Sequence, residues 1–262
     1  MLLEIAALLA ACLVQQGFGE NADRLLTVVE LGNLTIKGVI GMVPKFRRLP
    51  NHIGIIPDGN RRWSVQNGLP KEAGYERGLA PGLKLYEMCF ELGIRELTFY
   101  GFTQDNNKRP AVQREAFRKA CVEAVRMLSE RDASLLVIGD YSSPMFPPEL
   151  IPYLKRHTFG KGLIKVNFLV NYGWKWDLTY ALKTSGSNNG VKSFVSLIAS
   201  SDISRVDLII RWGGRRRLSG FLPVQSIYAD FYFVDEFWPD FKPEHLYQAL
   251  SWYETQDVTL GG

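Results

Sequence analysis

One carboxylate, one glycine, one amide and two guanidinium groups stand in a row at Asp58-Gly59-Asn60-Arg61-Arg62. A carboxylate such as Asp58 can hold a hard divalent cation. Gly59 lets the backbone approach a ligand closely, and Arg61 and Arg62 present forked donors that match phosphate. Two more polar segments have the same character. One is Thr103-Gln104-Asp105-Asn106-Asn107-Lys108-Arg109, closed by Pro110. The other runs from Arg211 through Trp212, Gly213, Gly214, Arg215, Arg216, Arg217 and Leu218 to Ser219. Several guanidiniums around one carboxylate suit two diphosphates and one metal ion better than a single small acid. Alone, the Arg215-Arg216-Arg217 run reads as a solvated loop or a nucleic-acid patch. The glycines before it and Ser219 after it favour a turn that cradles phosphate. Asp58 alone would be a close contest with a simple turn-former before glycine.

These segments need a scaffold that brings them together. The run Ile53-Gly54-Ile55-Ile56 reads as a buried strand that Pro57 closes. Further strands are expected over residues 97–102, 135–138, 166–170, 206–210 and 230–234. Helical spacing of apolar residues is expected over 74–92, 111–129, 150–156, 176–183, 191–199 and 243–254. Residues 184–190, rich in Ser, Gly and Asn, read as a loop within the domain. Strand and helix alternate, which predicts an α/β fold with a mostly parallel six-stranded sheet flanked by helices. In a parallel sheet the carboxyl ends of the strands lie on one side, so all three polar segments can converge there. Trp63, Phe102, Trp212 and Phe221 are expected to be core residues for at least half of their number, and His52 to serve the start of its strand.

The remaining composition narrows the class. The chain has 262 residues, 46% hydrophobic and 22% charged, an ordinary globular balance. The net charge of +4, from 31 Lys and Arg against 27 Asp and Glu, does not by itself call for nucleic acid. The arginines sit among glycines at strand ends and not along one exposed helix, which also argues against a nucleic-acid partner. Cys12, Cys89 and Cys121 are odd in number and widely spaced, as in a reduced, cytoplasmic protein without a disulfide framework. Residues 1–14 are apolar except Glu4, lack a basic leader and are shorter than the ~20 residues that span a bilayer. Residues 1–48 thus read as an apolar helical extension to a domain over 49–262. Packing on the body is the favoured reading of that extension. Contact with a partner or a membrane surface is the lesser one, for which the basic end at Lys45, Arg47 and Arg48 would be suited. No P-loop and no Gly-x-Ser-x-Gly elbow occurs. Asp-Asp-x-x-Asp is absent too, which excludes a metal-cluster isoprenyl synthase of the all-helical kind.

The motif from His52 to Trp63, followed by Thr103 to Pro110, by Asn171-Tyr172-Gly173, by Arg211 to Phe221 and by Phe231 to Phe241, resembles the cis-prenyltransferases, the undecaprenyl diphosphate synthase family. The likeness runs from about residue 50 to the C-terminus, and five motifs in order make it specific. It implies one α/β domain used as a homodimer, with an apolar tunnel between sheet and helices. The implied activity is Mg2+-dependent condensation of isopentenyl diphosphate with an allylic diphosphate, forming Z double bonds. On this resemblance Asp58 matches the essential aspartate that works through the metal. Gly59, Asn60, Arg61 and Arg62, with Trp63 beside them, match the loop that holds the allylic diphosphate. Lys71 and Arg109 match further basic ligands, and Thr103, Gln104, Asp105 and Asn107 flank Asn106, which matches an asparagine given the role of proton acceptor. Arg211, Arg217, Leu218 and Ser219 fall at the isopentenyl diphosphate site, and Asp230 where the family has a metal-binding glutamate.

Several positions depart from the family pattern. Tyr75 stands for a common His, Asn107 for Trp, Trp212 for a small polar residue and Arg215 for an acidic one. Arg216 falls where some members bind metal, and Val258-Thr259-Leu260 replaces a basic pair and an aromatic. These bear on the second metal ligand and on substrate and product length, for which Gly101, Cys121, Leu136 and Ile138 are expected tunnel-lining residues. The alternative is a non-catalytic partner subunit of the same fold. Such subunits usually lose the aspartate and the arginine cluster, and this chain keeps Asp58, Arg62, Arg109, Arg211 and Arg217.

Overall fold

The computed structural model describes residues 44–184 and 191–257. The expectations for residues 1–43, most of the loop at 184–190 and the departure at Val258-Thr259-Leu260 lie outside the described residues. The described residues from Phe46 onward form one compact unit.

The unit is built on a seven-stranded sheet: β1 (His52–Ile56), β2 (Glu96–Tyr100), β3 (Ala133–Ile138), β4 (His157–Thr158), β5 (Ile164–Leu169), β6 (Leu208–Arg211) and β7 (Asp230–Phe233), in the spatial order β4-β3-β5-β2-β1-β6-β7. Six strands are parallel. β4 is the exception, pairing antiparallel to β3 through Ser134↔Thr158 and Leu135↔His157. The sequence predicts six strands because β4 is two residues long and exposed, and so carries no apolar pattern.

Alternation along the strands divides the core into two layers. Leu135 and Val137 join Ile53, Ile55, Phe99, Phe168 and Ile210 on one face. Leu136 and Ile138 join Ile56, Leu169, Ile209 and Phe221 on the other. The first face is covered by α3 (Leu79–Glu91), α4 (Ala111–Ser129) and α7 (Pro243–Tyr253), which bury Leu85, Cys89, Cys121, Val125, Leu246 and Leu250 there. Trp212, Phe102 and Phe221 are fully buried core residues, and Trp212 Nε1–H donates to His245 Nδ1 at 3.3 Å, tying the end of β6 to α7.

Three other expectations change. Residues 60–66 form a helix, α1 (Asn60–Gln66), and not a turn. The helix expected over 74–92 is two helices, α2 (Ala73–Arg77) and α3, meeting at Gly78. There the Trp238 indole comes close, its Nε1–H donating to Gly78 O at 2.9 Å. The helix expected at 150–156 is a 3-10 helix, Pro148–Leu154, with Pro152 inside it. Two helices not yet named, α5 (Trp174–Thr184) and α6 (Val191–Leu197), lie close to expectation.

His52 lies at the amino end of the sheet in a polar network. Its Nε2 meets Thr98 Oγ1 at 2.8 Å, and Asn167 Nδ2–H donates to both Glu96 Oε1 and Thr98 Oγ1 at 2.8 and 2.9 Å. The carboxyl ends of the strands carry the other chemistry.

Candidate active site

β1 ends at Ile56, and Gly59 turns the chain into α1 with φ +105°, a left-handed conformation that L side chains rarely adopt. A Cβ there would also meet Phe237 Cδ1 at 2.6 Å. This turn aims Asp58 at the end of β6, which pairs with β1 through Ile56↔Arg211. Arg211 Nη2–H donates to Asp58 Oδ2 at 2.8 Å, and the Gly59 N–H donates to Oδ1 at 2.6 Å. Arg62 Nη2 stands 3.4 Å from Oδ1, with its guanidinium 5.0 Å over the Phe237 ring. The Arg211 side chain is only 4% exposed, so it acts as a fixed post. Its Nη1–H groups donate to Ser219 Oγ at 2.7 Å and to Arg217 O. Gly213, at φ +83°, lets this loop close against Asp58, since a Cβ would lie 2.6 Å from Arg62 Nη2.

β2 leads into a 3-10 helix, Gln104–Lys108, on the same side of the sheet. The turn is held at three points. Gln104 N–H donates to Tyr172 O at 2.9 Å, Thr103 N–H donates to Asn106 Oδ1 at 3.0 Å, and Arg114 Nη1–H donates to Arg109 O at 2.8 Å. Arg109 then reaches back to α2, donating from Nη1 to the Tyr75 hydroxyl at 2.9 Å. Tyr75 stacks on Phe117 of α4, with ring centroids 4.5 Å apart and planes 2° apart. Burial lowers the Arg109 pKa from its ordinary value and raises that of Tyr75, in each case partly offset by the other partner.

These segments enclose a cavity of about 750 Å3. Arg61, Arg62, Lys71, Arg109, Arg211, Arg215 and Arg217 line it, against the carboxylates of Asp58 and Asp105. Gly59, Asn60, Tyr75, Thr103, Asn106 and Ser219 line it as well. A second, apolar pocket of about 90 Å3 lies between α3, α4 and the sheet. Pro57, Asn60, Tyr75, Gly101 and Phe117 line both spaces, so the two adjoin.

Not every expected residue reaches the cleft. Trp63 is pinned away, its Nε1–H donating to Asp240 Oδ1 at 2.7 Å. Gln104 packs over Gly173, Leu218 joins the second core layer, and Asn107 Nδ2–H donates to Asn171 Oδ1 at 3.2 Å. Asp230 opens β7 level with Leu208, beside Arg48 and Asp207. Ile53 is level with Leu208 as well, so Asp230 and Asp58 are at opposite ends of the sheet, with the strand from Ile53 to Ile56 alone spanning roughly 10 Å between them. Of the expected tunnel residues, Gly101 and Cys121 line the apolar pocket, while strand alternation turns Leu136 and Ile138 to the other face. Tyr100 was not among the expected site residues. It lines the cleft as the last residue of β2, and its hydroxyl donates to Ser219 O at 2.8 Å. Its signal is position alone, a tyrosine at the carboxyl end of a strand before glycine.

A cationic cleft at the carboxyl ends of a parallel sheet, opening onto an apolar pocket, defines a class of protein that handles phosphorylated apolar molecules. The chain belongs to the undecaprenyl diphosphate synthase family, the cis-prenyltransferases, whose model, described as a putative undecaprenyl diphosphate synthase, matches residues 56–261. It is 33% identical over 229 residues to a ditrans,polycis-undecaprenyl-diphosphate synthase, (2E,6E)-farnesyl-diphosphate specific, of Aliivibrio fischeri, covering 81% of this chain and 89% of that one. It is 32% identical over 233 residues to an isoprenyl transferase of Nitrosomonas europaea, covering 84% and 88%. Its fold is that of lavandulyl diphosphate synthase from Lavandula x intermedia, solved with dimethylallyl diphosphate. That match has a TM-score of 0.71 and 23% identity over 81% of this chain and 98% of the other. By family the protein is a prenyl transferase, and the partner-subunit reading is not favoured.

Proposed function

We propose that this chain condenses isopentenyl diphosphate with an allylic diphosphate to give a Z-configured prenyl diphosphate. The observation that carries this reading is the surplus of cationic groups around Asp58 in a cleft that opens onto an apolar pocket. Two diphosphates would neutralise that charge, and the pocket would take the apolar tail as the mouth of a tunnel.

Asn60, Arg61, Arg62 and Arg109 are assigned to the allylic diphosphate, and Arg211, Arg217 and Ser219 to the isopentenyl diphosphate. The allylic C1–O bond breaks, and its electron pair leaves on the diphosphate, where the guanidiniums stabilise the developing charge. C4 of the isopentenyl group bonds to C1, and holding both substrates on either side of Asp58 supplies proximity. The C2 proton then departs. An amide is a poor base, so Asn106 orients the substrate while a diphosphate oxygen takes the proton. If Asn106→Ala retained wild-type turnover, Asn106 would have no part in this step.

Asp58 fits a divalent cation shared with substrate. A carboxylate has about four lone-pair positions, and its bonds from Gly59 and Arg211 leave some free. Among the described residues no three or more His, Cys, Asp and Glu groups cluster as a protein cage. Magnesium held by one carboxylate, phosphate oxygens and water fits that donor set. When bound, it would neutralise diphosphate charge. Asp230 keeps a place in the reading only as a metal ligand of the resemblance, and its distance from Asp58 argues against the two sharing one ion.

A cytoplasmic homodimer belongs to the same reading, with residues 1–48 as an extension that contacts the body or a membrane surface. Among the described residues no helix is long and apolar enough to cross a membrane. The test is purified protein with labelled isopentenyl diphosphate, allylic primers of five to twenty carbons, and magnesium or chelator. Incorporation that chelation abolishes is expected. No incorporation with any primer would overturn the reading.

A further inference from the structure

Asp177, in the first turn of α5, is a carboxylate that does not line the cleft, yet it is only 2% exposed. Three donors hold it. Ser200 N–H donates to Oδ1 at 2.9 Å, and the Ser200 and Tyr172 hydroxyls donate to Oδ2 at 2.6 and 2.7 Å. Behind Ser200, Gln225 Nε2–H donates to Ser200 O at 2.9 Å and to its Oγ at 2.8 Å. Among the described residues no cation pairs with Asp177. A buried carboxylate without a cation is costly, so its hydrogen bonds must hold something in place.

What it holds is Tyr172, which is fully buried. Tyr172 lies where the β2 and β5 chains stay paired beyond their strand ends. Its N–H donates to Phe102 O at 3.3 Å, and Thr103 forms a parallel bridge with it. Asn171 just before it has φ +52°, in the left-handed region. The Tyr172 ring packs edge-to-face with Tyr100, centroids 6.3 Å and planes 75° apart. Tyr100 packs likewise on Phe221, at 5.4 Å and 69°, and its hydroxyl donates to Ser219 O at 2.8 Å. The loop it grips is strained: Ser219, Gly220 and Leu222 have φ of +55°, +79° and +33°. Such conformations persist where surrounding contacts over-determine them, and they cluster at ligand sites. Burial raises the pKa of both phenols, so both remain O–H donors.

We infer that Asp177 and Tyr172 are positioning residues for the isopentenyl diphosphate end of the cleft, acting through Tyr100 on the strained Ser219 loop. The inference rests on the prenyl-transfer reading and deepens it. Neither Asp177 nor Tyr172 lines the cleft. The bond to Asp177 fixes where the Tyr172 ring stands, and that ring backs Tyr100. Tyr100 then holds the Ser219 backbone so that Ser219 Oγ stays 2.7 Å from Arg211 Nη1.

The test measures KM for isopentenyl diphosphate and for the allylic diphosphate separately, with melting curves alongside. The proteins are wild type, Tyr172→Phe, Tyr100→Phe, the double variant and Ser200→Ala. Tyr172→Phe and Tyr100→Phe should each raise KM for isopentenyl diphosphate roughly three- to tenfold and leave the allylic KM within about twofold. In the double variant the rise should match the larger single effect, since both act on one contact. Ser200→Ala leaves Asp177 the Ser200 N–H and the Tyr172 hydroxyl. It should lower the melting temperature and keep each KM within about twofold. An unchanged KM in Tyr172→Phe or Tyr100→Phe would overturn the inference while the prenyl-transfer reading stood. So would effects that multiply in the double variant, or an equal rise in Ser200→Ala. If Tyr172→Phe does not fold, Tyr100→Phe decides by the same split. No incorporation by wild type with any primer would overturn the prenyl-transfer reading itself, and the inference with it.

Discussion

Asp58 is organised by its neighbours more than by its own sequence context. Arg211 and Gly59 each hold one of its two oxygens, and Arg62 stands close by. Asp58→Asn should keep the fold while cutting kcat/KM at least roughly 100-fold, the loss typical of one preorganised charged group. Steady-state incorporation on protein with an unchanged melt checks this. Tyr75→Phe removes the acceptor for Arg109 while leaving the ring to stack on Phe117. A hydrogen bond to a charged group is worth about 1.5–3 kcal/mol, so KM for the allylic substrate should rise roughly tenfold or more with kcat near wild type. Most of the cleft is readable from residue types, because arginines beside glycines at strand ends have few structural uses. Trp63 and Asn107 are not, because each finds a hydrogen-bond partner far along the chain, Asp240 and Asn171. Nor is Tyr100, which reads like any other aromatic strand residue.

Helix α1 shows what periodicity misses. Its seven residues, Asn-Arg-Arg-Trp-Ser-Val-Gln, bury only Ser64 and have no apolar stripe. It forms because Gly59 can take φ +105° and deliver the chain into a helix beside Phe237. Gly59→Ala should therefore cost roughly 1–3 kcal/mol from the backbone conformation alone. Calorimetry should show the melting temperature lowered by several degrees, and an unchanged melt would remove Gly59 from this role. The break between α2 and α3 is hidden for the opposite reason. Apolar residues continue at helical spacing across Gly78, where the distant Trp238 indole packs and where Pro81 has no N–H to bond the Arg77 carbonyl. The buried parallel strands are the most legible elements, since each is rich in apolar residues between polar ends, even with Thr98 inside β2 and Asn167 inside β5.

The molecule separates chemistry from structural polarity along the sheet. The carboxyl ends carry the cationic cleft, and the amino ends carry the His52 network. Burial lowers the His52 pKa below its ordinary 6.5, although the charges of Glu96 and Asp207 oppose the shift. The unfolded chain then binds this proton at a higher pH than the folded one, so stability rises with pH through this window. It is fully present above about 6.5 and is lost as pH falls towards the depressed folded value. Burial lowers the His245 pKa as well, in the same sense. The melting temperature should drop between pH 7.5 and 5.5, and by less in His52→Gln than in wild type when each is compared with its own value at pH 7.5. The alternation of strands and helices makes the parallel sheet predictable, and with it the convergence of three polar segments. The spatial order of the strands is not, because it depends on which crossovers pack best.

The central claim is that one cleft grips two diphosphates on either side of Asp58. It is tested most directly by measuring KM for each substrate separately in Arg61→Gln and Arg217→Gln. The account predicts that Arg61→Gln raises KM for the allylic diphosphate roughly tenfold or more and leaves that for isopentenyl diphosphate within about twofold, with Arg217→Gln doing the reverse. Equal effects on both substrates from each variant, or no effect from either, would contradict it.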